Sequence, residues 1–274
     1  MNKSVKIVQY LFAIALIGFG SLHLITGDFV SGRAIPLPHT NSLYIYWAYV
    51  TGVLFIITGL AILIGRQIKL LLIADGIVVF AWAFLRSFAA LINHHPIYDG
   101  LLTNTGKGLA LTGSLMIVAS SMLVRHVKDT NRFWTYDYLD NKLTKIGLYF
   151  IGIFLIICGV QHFIFTVFCA SLVPTWIPGH MFWTYFAGVA LISGGIGIML
   201  KPTRPLAAAL SGIMILLWTV MLHIERVAAS NFHDYNEITS FFETIAFGSA
   251  LLVLPCQVYK WKPFYKSKSS VQIV

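Results

Sequence analysis

Seven titratable side chains interrupt stretches that are otherwise apolar: His23, Arg86, Lys107, His162, His223, Arg226 and Glu243. An ionisable group inside a hydrocarbon-length run is costly to bury and marks a candidate site. Arg86, His162, His223 and Glu243 each lie six residues from one end of their run. At the helical rise this is roughly 9 Å deep. His23 and Lys107 lie slightly shallower, and Arg226 follows His223 on the same helical face. The inner halves of the runs carry almost no charge. Cations and imidazoles at one level can donate to a carbonyl or an anion, and a carboxylate among them can carry a proton. Glu243 needs a partner in lipid, and Arg226 or His223 is expected to supply it. Arg86 and Lys107 have only Asp28 and Asp99 within reach, an unbalanced cationic pocket suited to an anionic or carbonyl-bearing ligand.

Plainer roles compete at each position. His23 and His162 can donate to backbone carbonyls and simply pack helices. Arg86 and Arg226 can snorkel to headgroups. Glu243 and a basic partner can form a structural ion pair. Trp47, Tyr49, Trp176, Trp183 and Tyr185 suit interfacial anchoring. The sharper expectation gathers the charged groups, the histidines and the aromatics Trp183 and Tyr185 into one outward pocket per half.

The elements that position these residues follow from composition. Of 274 residues, 58% are apolar and 11% charged, too few charges to cover a soluble surface. A spanning helix needs about 20 apolar residues. Eight runs qualify: Ile7–Gly27, Tyr44–Ile64, Ile68–Ile92, Asn104–Val124, Ile146–Phe168, Met181–Leu200, Leu206–Ala229 and Glu237–Val258. The expected fold is an all-α polytopic bundle of eight transmembrane helices. With the N-terminus inside, fifteen of the nineteen Lys and Arg fall in cytoplasmic segments. This places both termini in the cytoplasm and the protein in the cell inner (plasma) membrane. The basic excess therefore reports topology and a lipid bilayer partner, with no nucleic acid.

The halves repeat. Pro38-x8-Trp47-x-Tyr49-x2-Gly52-x6-Gly59 recurs as Pro174-x8-Trp183-x-Tyr185-x2-Gly188-x6-Gly195, offset by 136 residues. Gly76 and Trp82 pair with Gly212 and Trp218 at the same offset, as Lys107 does with Glu243. His23 pairs with His162 at an offset of 139. Four spans per half make this a parallel repeat. The expected division is a first repeat over 1–125, a cytoplasmic linker over 126–145, a second repeat over 146–260 and a basic tail over 261–274.

No Walker loop, Rossmann fingerprint, HExxH or GxSxG is present. Cys158, Cys169 and Cys256 have no ligand spacing, and no metal site is required by the positions of His162, His223 and Glu243. No cofactor is visible.

Gly159-Val-Gln-His162-Phe163, Val173-Pro174-x-Trp176-Ile177-Pro178, Phe182-Trp183-x-Tyr185-x2-Gly188 and Lys201-Pro202-Thr203-Arg204-x2-Ala207 together resemble the DoxX-like membrane proteins. Lys107-Gly-Leu-Ala-Leu-Thr-Gly113 resembles the start of that family's fourth helix. The family unit is a four-helix bundle, so the chain looks like two fused units, with Glu243 departing from the Lys position in the second. The resemblance implies a redox-associated protein, a quinone- or thiol-linked subunit with quinone as the expected ligand and an oxidoreductase as the expected partner. A small-molecule carrier or lipid-binding protein, and a non-catalytic structural or assembly subunit, are the alternatives.

Overall fold

The computed structural model describes residues 3–30, 42–66, 68–92, 101–122 and 142–258, with the side chains of 42–44, 86 and 89–92 outside that description. The expected linker over 126–145, except its last four residues, and the expected tail over 261–274 lie outside the described residues, as do Pro38 and Asp99. The described chain is all-helical and contains no strand.

In chain order the helices are α1 (Lys3–Thr26), α2 (Ser42–Leu63), α3 (Lys69–Ile92), α4 (Leu102–Ser121), α5 (Lys142–Ile164), α6 (Thr166–Leu172), α7 (His180–Met199), α8 (Arg204–Trp218), α9 (Ile224–Ala229) and α10 (Tyr235–Val258). A π-helical turn over Thr219–His223 joins α8 to α9. Among the described residues, six helices are long and apolar enough to cross a membrane: Lys3–Thr26, Ile45–Leu63, Lys142–Ile164, His180–Met199, Arg204–Ala229 and Tyr235–Gln257. With apolar side chains such as Ile7, Leu70, Val167, Leu206 and Leu210 exposed, this is consistent with a multi-pass membrane protein. The expected fifth run, Ile146–Phe168, ends sooner. Phe165 leaves helical geometry, and the chain restarts as the short α6.

α1, α4, α5 and α10 form the interior, with α4 packed on both α5 and α10 and α1 on α10. α2 and α3 flank α1 and α4, and α7 and α8 flank α5 and α10. α4 is buried almost all round. It does not need a lipid-compatible surface, which accounts for its Ser, Thr and Gly content.

Glycines set the close crossings, because only a missing Cβ lets two backbones touch. A Cβ on Gly20 of α1 would lie 2.5 Å from the Gly52 carbonyl of α2, and one on Gly159 of α5 would lie 2.7 Å from the Gly188 carbonyl of α7. Gly59 meets the carbonyl of Ala13, and Gly195 meets that of Gly152. In α3 and α4, Thr112 donates to the Gly76 carbonyl at 3.4 Å. In α8 and α10, Gly212 packs on the Gly248 carbonyl at 3.0 Å. Each contact in one half has its counterpart in the other at the sequence offsets given above.

Candidate functional site: a buried charge cluster

The end of the bundle where α1, α5 and α9 stop and α4 and α10 start carries the titratable groups. Local sequence builds this end. Asn231 and Phe232 adopt left-handed backbone with φ of 51° and 62°, turning the chain sharply after α9. Asp234 then caps α10, its Oδ1 accepting from the Asn236 and Glu237 amides at 2.8 and 3.3 Å. Glu237 stands where a capping-box carboxylate would turn back on the cap. Its carboxylate instead takes both guanidinium nitrogens of Arg226, with Nε–H donating to Oε2 at 2.8 Å and Nη2 to Oε1.

The π turn aims His223 at the same carboxylate, with Nδ1 at 4.0 Å from Glu237 Oε2. That nitrogen is buried and has no hydrogen-bond partner. π turns recur at functional sites, and this one is tied to α10 by the Thr219 hydroxyl, which donates to Thr244 Oγ1 at 2.8 Å.

One residue before Thr244, Glu243 faces α4 and binds Lys107, with Nζ 2.7 Å from Oε2. Glu243 is almost wholly buried and Lys107 largely so. Lys107, Glu243, Arg226 and Glu237 all lie within electrostatic reach of His223. Thr103 of α4, a turn from Lys107, donates to Gln161 of α5 at 3.0 Å.

The pairing differs from the expected one. Glu243 does not use Arg226 or His223, because it sits a third of the way along α10 on the face toward α4, while those two groups face the first turn of α10. The cationic excess expected around Lys107 is absent among the described side chains: two cations face two carboxylates. The side chain of Arg86 lies outside the described residues.

The remaining candidates lie apart from this cluster. His23 is fully buried between Phe29 and Phe55, with ring centroids at 5.6 and 5.5 Å, and it hydrogen-bonds the backbone of Ala48. The His162 Nδ1 donates to the Cys158 carbonyl at 2.7 Å. Both histidines lean their Cβ on a crossing glycine, Gly52 or Gly188, so both pack helices. Trp183 and Tyr185 are 44% and 43% exposed on the outside of α7. Tyr185 stacks on Phe163 at 5.7 Å. They do not line the cluster.

An apolar groove of about 550 Å³ runs between α1 and α10, lined by Ile14, Gly18, Ser21, Tyr235 and Phe242 among others. Its lining also includes Phe232 and Ile238, and none of Lys107, His223, Arg226, Glu237 and Glu243. Among the described residues no three of His, Cys, Asp and Glu gather as metal ligands.

Two functional candidates escaped the sequence reading. Glu237 stood at the edge of a run and was counted as a boundary, although the Asp-x-x-Glu cap pattern marks a helix start. Asp75 stands inside an apolar run away from the common level, where almost no charge is expected. It is fully buried in α3.

A family described as "Domain of unknown function (DUF8561)" matches residues 151–237. That segment holds His162, His223, Arg226 and Glu237 but ends short of Glu243. Comparison with curated proteins, and with solved structures, returned no match.

Arg226 is 37% exposed. Exposed pairs contribute little. Arg226→Gln is therefore expected to lower unfolding stability in micelles by about 1 kcal/mol or less, well below the effect of breaking the Lys107–Glu243 pair.

Proposed function

We propose that this chain is a DoxX-like integral membrane protein of eight spans, built from two parallel four-helix units. Both termini are cytoplasmic and the charge cluster lies toward the outer face of the plasma membrane. The repeated glycine crossings support the two units. So do two contacts between equivalent positions of α4 and α10: Lys107 with Glu243, and Ser121 with Gln257, whose Nε2 donates to the Ser121 carbonyl at 3.5 Å. Equivalent residues meet at equal depth only across a two-fold axis parallel to the helices.

The cluster is proposed as a headgroup site for a quinone, with electrons supplied by an oxidoreductase partner. The observation that carries this is the buried His223 Nδ1, which makes no hydrogen bond and stands 4.0 Å from Glu237 Oε2, beside two closed ion pairs. Among the described side chains two cations face two carboxylates, which suits a neutral headgroup. A quinone carbonyl accepts hydrogen bonds, and His223 and Lys107 are the donors. The apolar groove beside α10 supports a ligand with a hydrocarbon tail.

Trp218 lies five residues before His223 and reports on the site. Titrating the purified protein with a short-chain quinone is expected to give saturable quenching of its fluorescence, lost in His223→Phe. The absence of quenching in the wild-type protein refutes the reading. The closed geometry of both ion pairs favours a second reading, a structural or assembly subunit. In that case variants move stability alone and no quinone binds.

A further inference from the structure

Asp75 sits on α3 six residues after Lys69, toward the opposite end of the bundle from the charge cluster. Its side chain has no solvent exposure, and neither carboxyl oxygen makes a hydrogen bond of normal length and geometry. The polar side chain beside it is Thr58 of α2, whose hydroxyl is also buried and unbonded. α3 packs on α4 and, lightly, on α2. The titratable groups of α2 are Tyr44, Tyr46 and Tyr49, all at its far end. α4 offers only Lys107, at its far end and bound to Glu243. On α3 itself the cations are Lys69 at its first residue and Arg86 eleven residues on. No cation on these helices stands at the level of Asp75.

Packing does not require this pair. The equivalent positions in the second half are Gly194 and Ser211, so close that a Cβ on Gly194 would lie 2.3 Å from Ser211 Oγ. The first half replaces a tight small-residue seam with a hydroxyl facing a carboxyl. Next to it, a Cβ on Gly76 would collide with the Met116 methyl at 2.3 Å, so α4 closes the third side.

A lone carboxylate in such surroundings is strongly disfavoured, and a group this expensive is kept inside an apolar bundle for what it binds. A neutral acid can donate to the Thr58 hydroxyl, which can pass its own hydrogen to a backbone carbonyl one turn back. We propose that Asp75 is a proton-binding site: its carboxyl takes up one proton from water through the α2–α3 seam and releases it by the same route. The site stands independently of any quinone at the other end of the bundle.

Infrared spectroscopy of the full chain in micelles tests this. The carbonyl band of a protonated carboxylic acid is expected at neutral pH in the wild-type protein. It should be wholly lost in Asp75→Asn, with elution volume and thermal midpoint unchanged. At alkaline pH a carboxylate band should replace it. Dicyclohexylcarbodiimide, which adds to protonated membrane carboxyls, should label Asp75 and not Glu243. Excess sodium should leave the band intact. A wild-type protein without the band overturns the proposal, as does a band that survives in Asp75→Asn. A band abolished by sodium also overturns it, because the site then binds a metal cation.

Discussion

Lys107→Met is expected to lower the unfolding free energy by about 3 kcal/mol, because it removes the cation that lies against the buried Glu243 carboxylate. Glu243 is 3% exposed and its Oε2 has Lys107 Nζ at 2.7 Å. Among the described side chains, Arg226 is held by Glu237 instead. Removing both charges removes the cost of burying either, so Lys107→Met combined with Glu243→Leu should recover most of the loss. The exchanged pair, Lys107→Glu with Glu243→Lys, should also fold. Chemical unfolding in micelles, read as a double-mutant cycle, measures the coupling. Additive single and double effects would show that the two charges do not depend on each other.

The second large effect concerns the crossings. A valine at Gly20 places Cβ 2.5 Å from the Gly52 carbonyl, and one at Gly195 places it 2.6 Å from the Gly152 carbonyl. Backbone cannot step aside as a side chain can. Overpacking commonly costs about 1–3 kcal/mol, and a clash with main chain belongs at or above that upper end. Gly20→Val and Gly195→Val are each expected to abolish the monodisperse peak in size-exclusion chromatography. Gly65→Asn is the control. Its φ of +75° is one that asparagine tolerates, and nothing lies within 4 Å of its Cβ position. The result contrary to this account is a normal elution profile for both valine variants.

Much of this was legible in the sequence, for identifiable reasons. The Gly spacing shared by the halves is legible because crossings need glycine, and Gly52, Gly59, Gly188 and Gly195 do meet the neighbouring backbone. The level of His223, Arg226, Lys107 and Glu243 was legible because charge within an apolar run is rare. Their pairing was not. It depends on α4 facing α10, a contact between halves that no local pattern encodes, so Glu243 was paired with near neighbours in sequence rather than with its own repeat equivalent. Glu237 was lost at a run boundary. Asp75 was passed over because attention to one common depth discounts a carboxyl at the other. His23 and His162 share the depth of the cluster but point into glycine crossings, and depth alone does not fix direction around a helix.

The pairing also has a consequence for the origin of the site. On the two-unit reading proposed above, lysine at both equivalent positions would bring two cations together on the axis between the units. Glutamate at position 243 instead gives Lys107 a carboxylate partner, which holds α4 against α10.

Cross-linking across that axis tests the central claim most directly. In a chain with Cys158, Cys169 and Cys256 replaced by alanine, paired cysteines are introduced at 107 with 243, and at 121 with 257. Positions 107 and 121 are separated by about 21 Å along α4. A short bis-maleimide should join each matched pair within a single chain and leave the crossed pairs, 107 with 257 and 121 with 243, unlinked. Linkage of the crossed pairs, or of none, would contradict two parallel units meeting at Lys107 and Glu243.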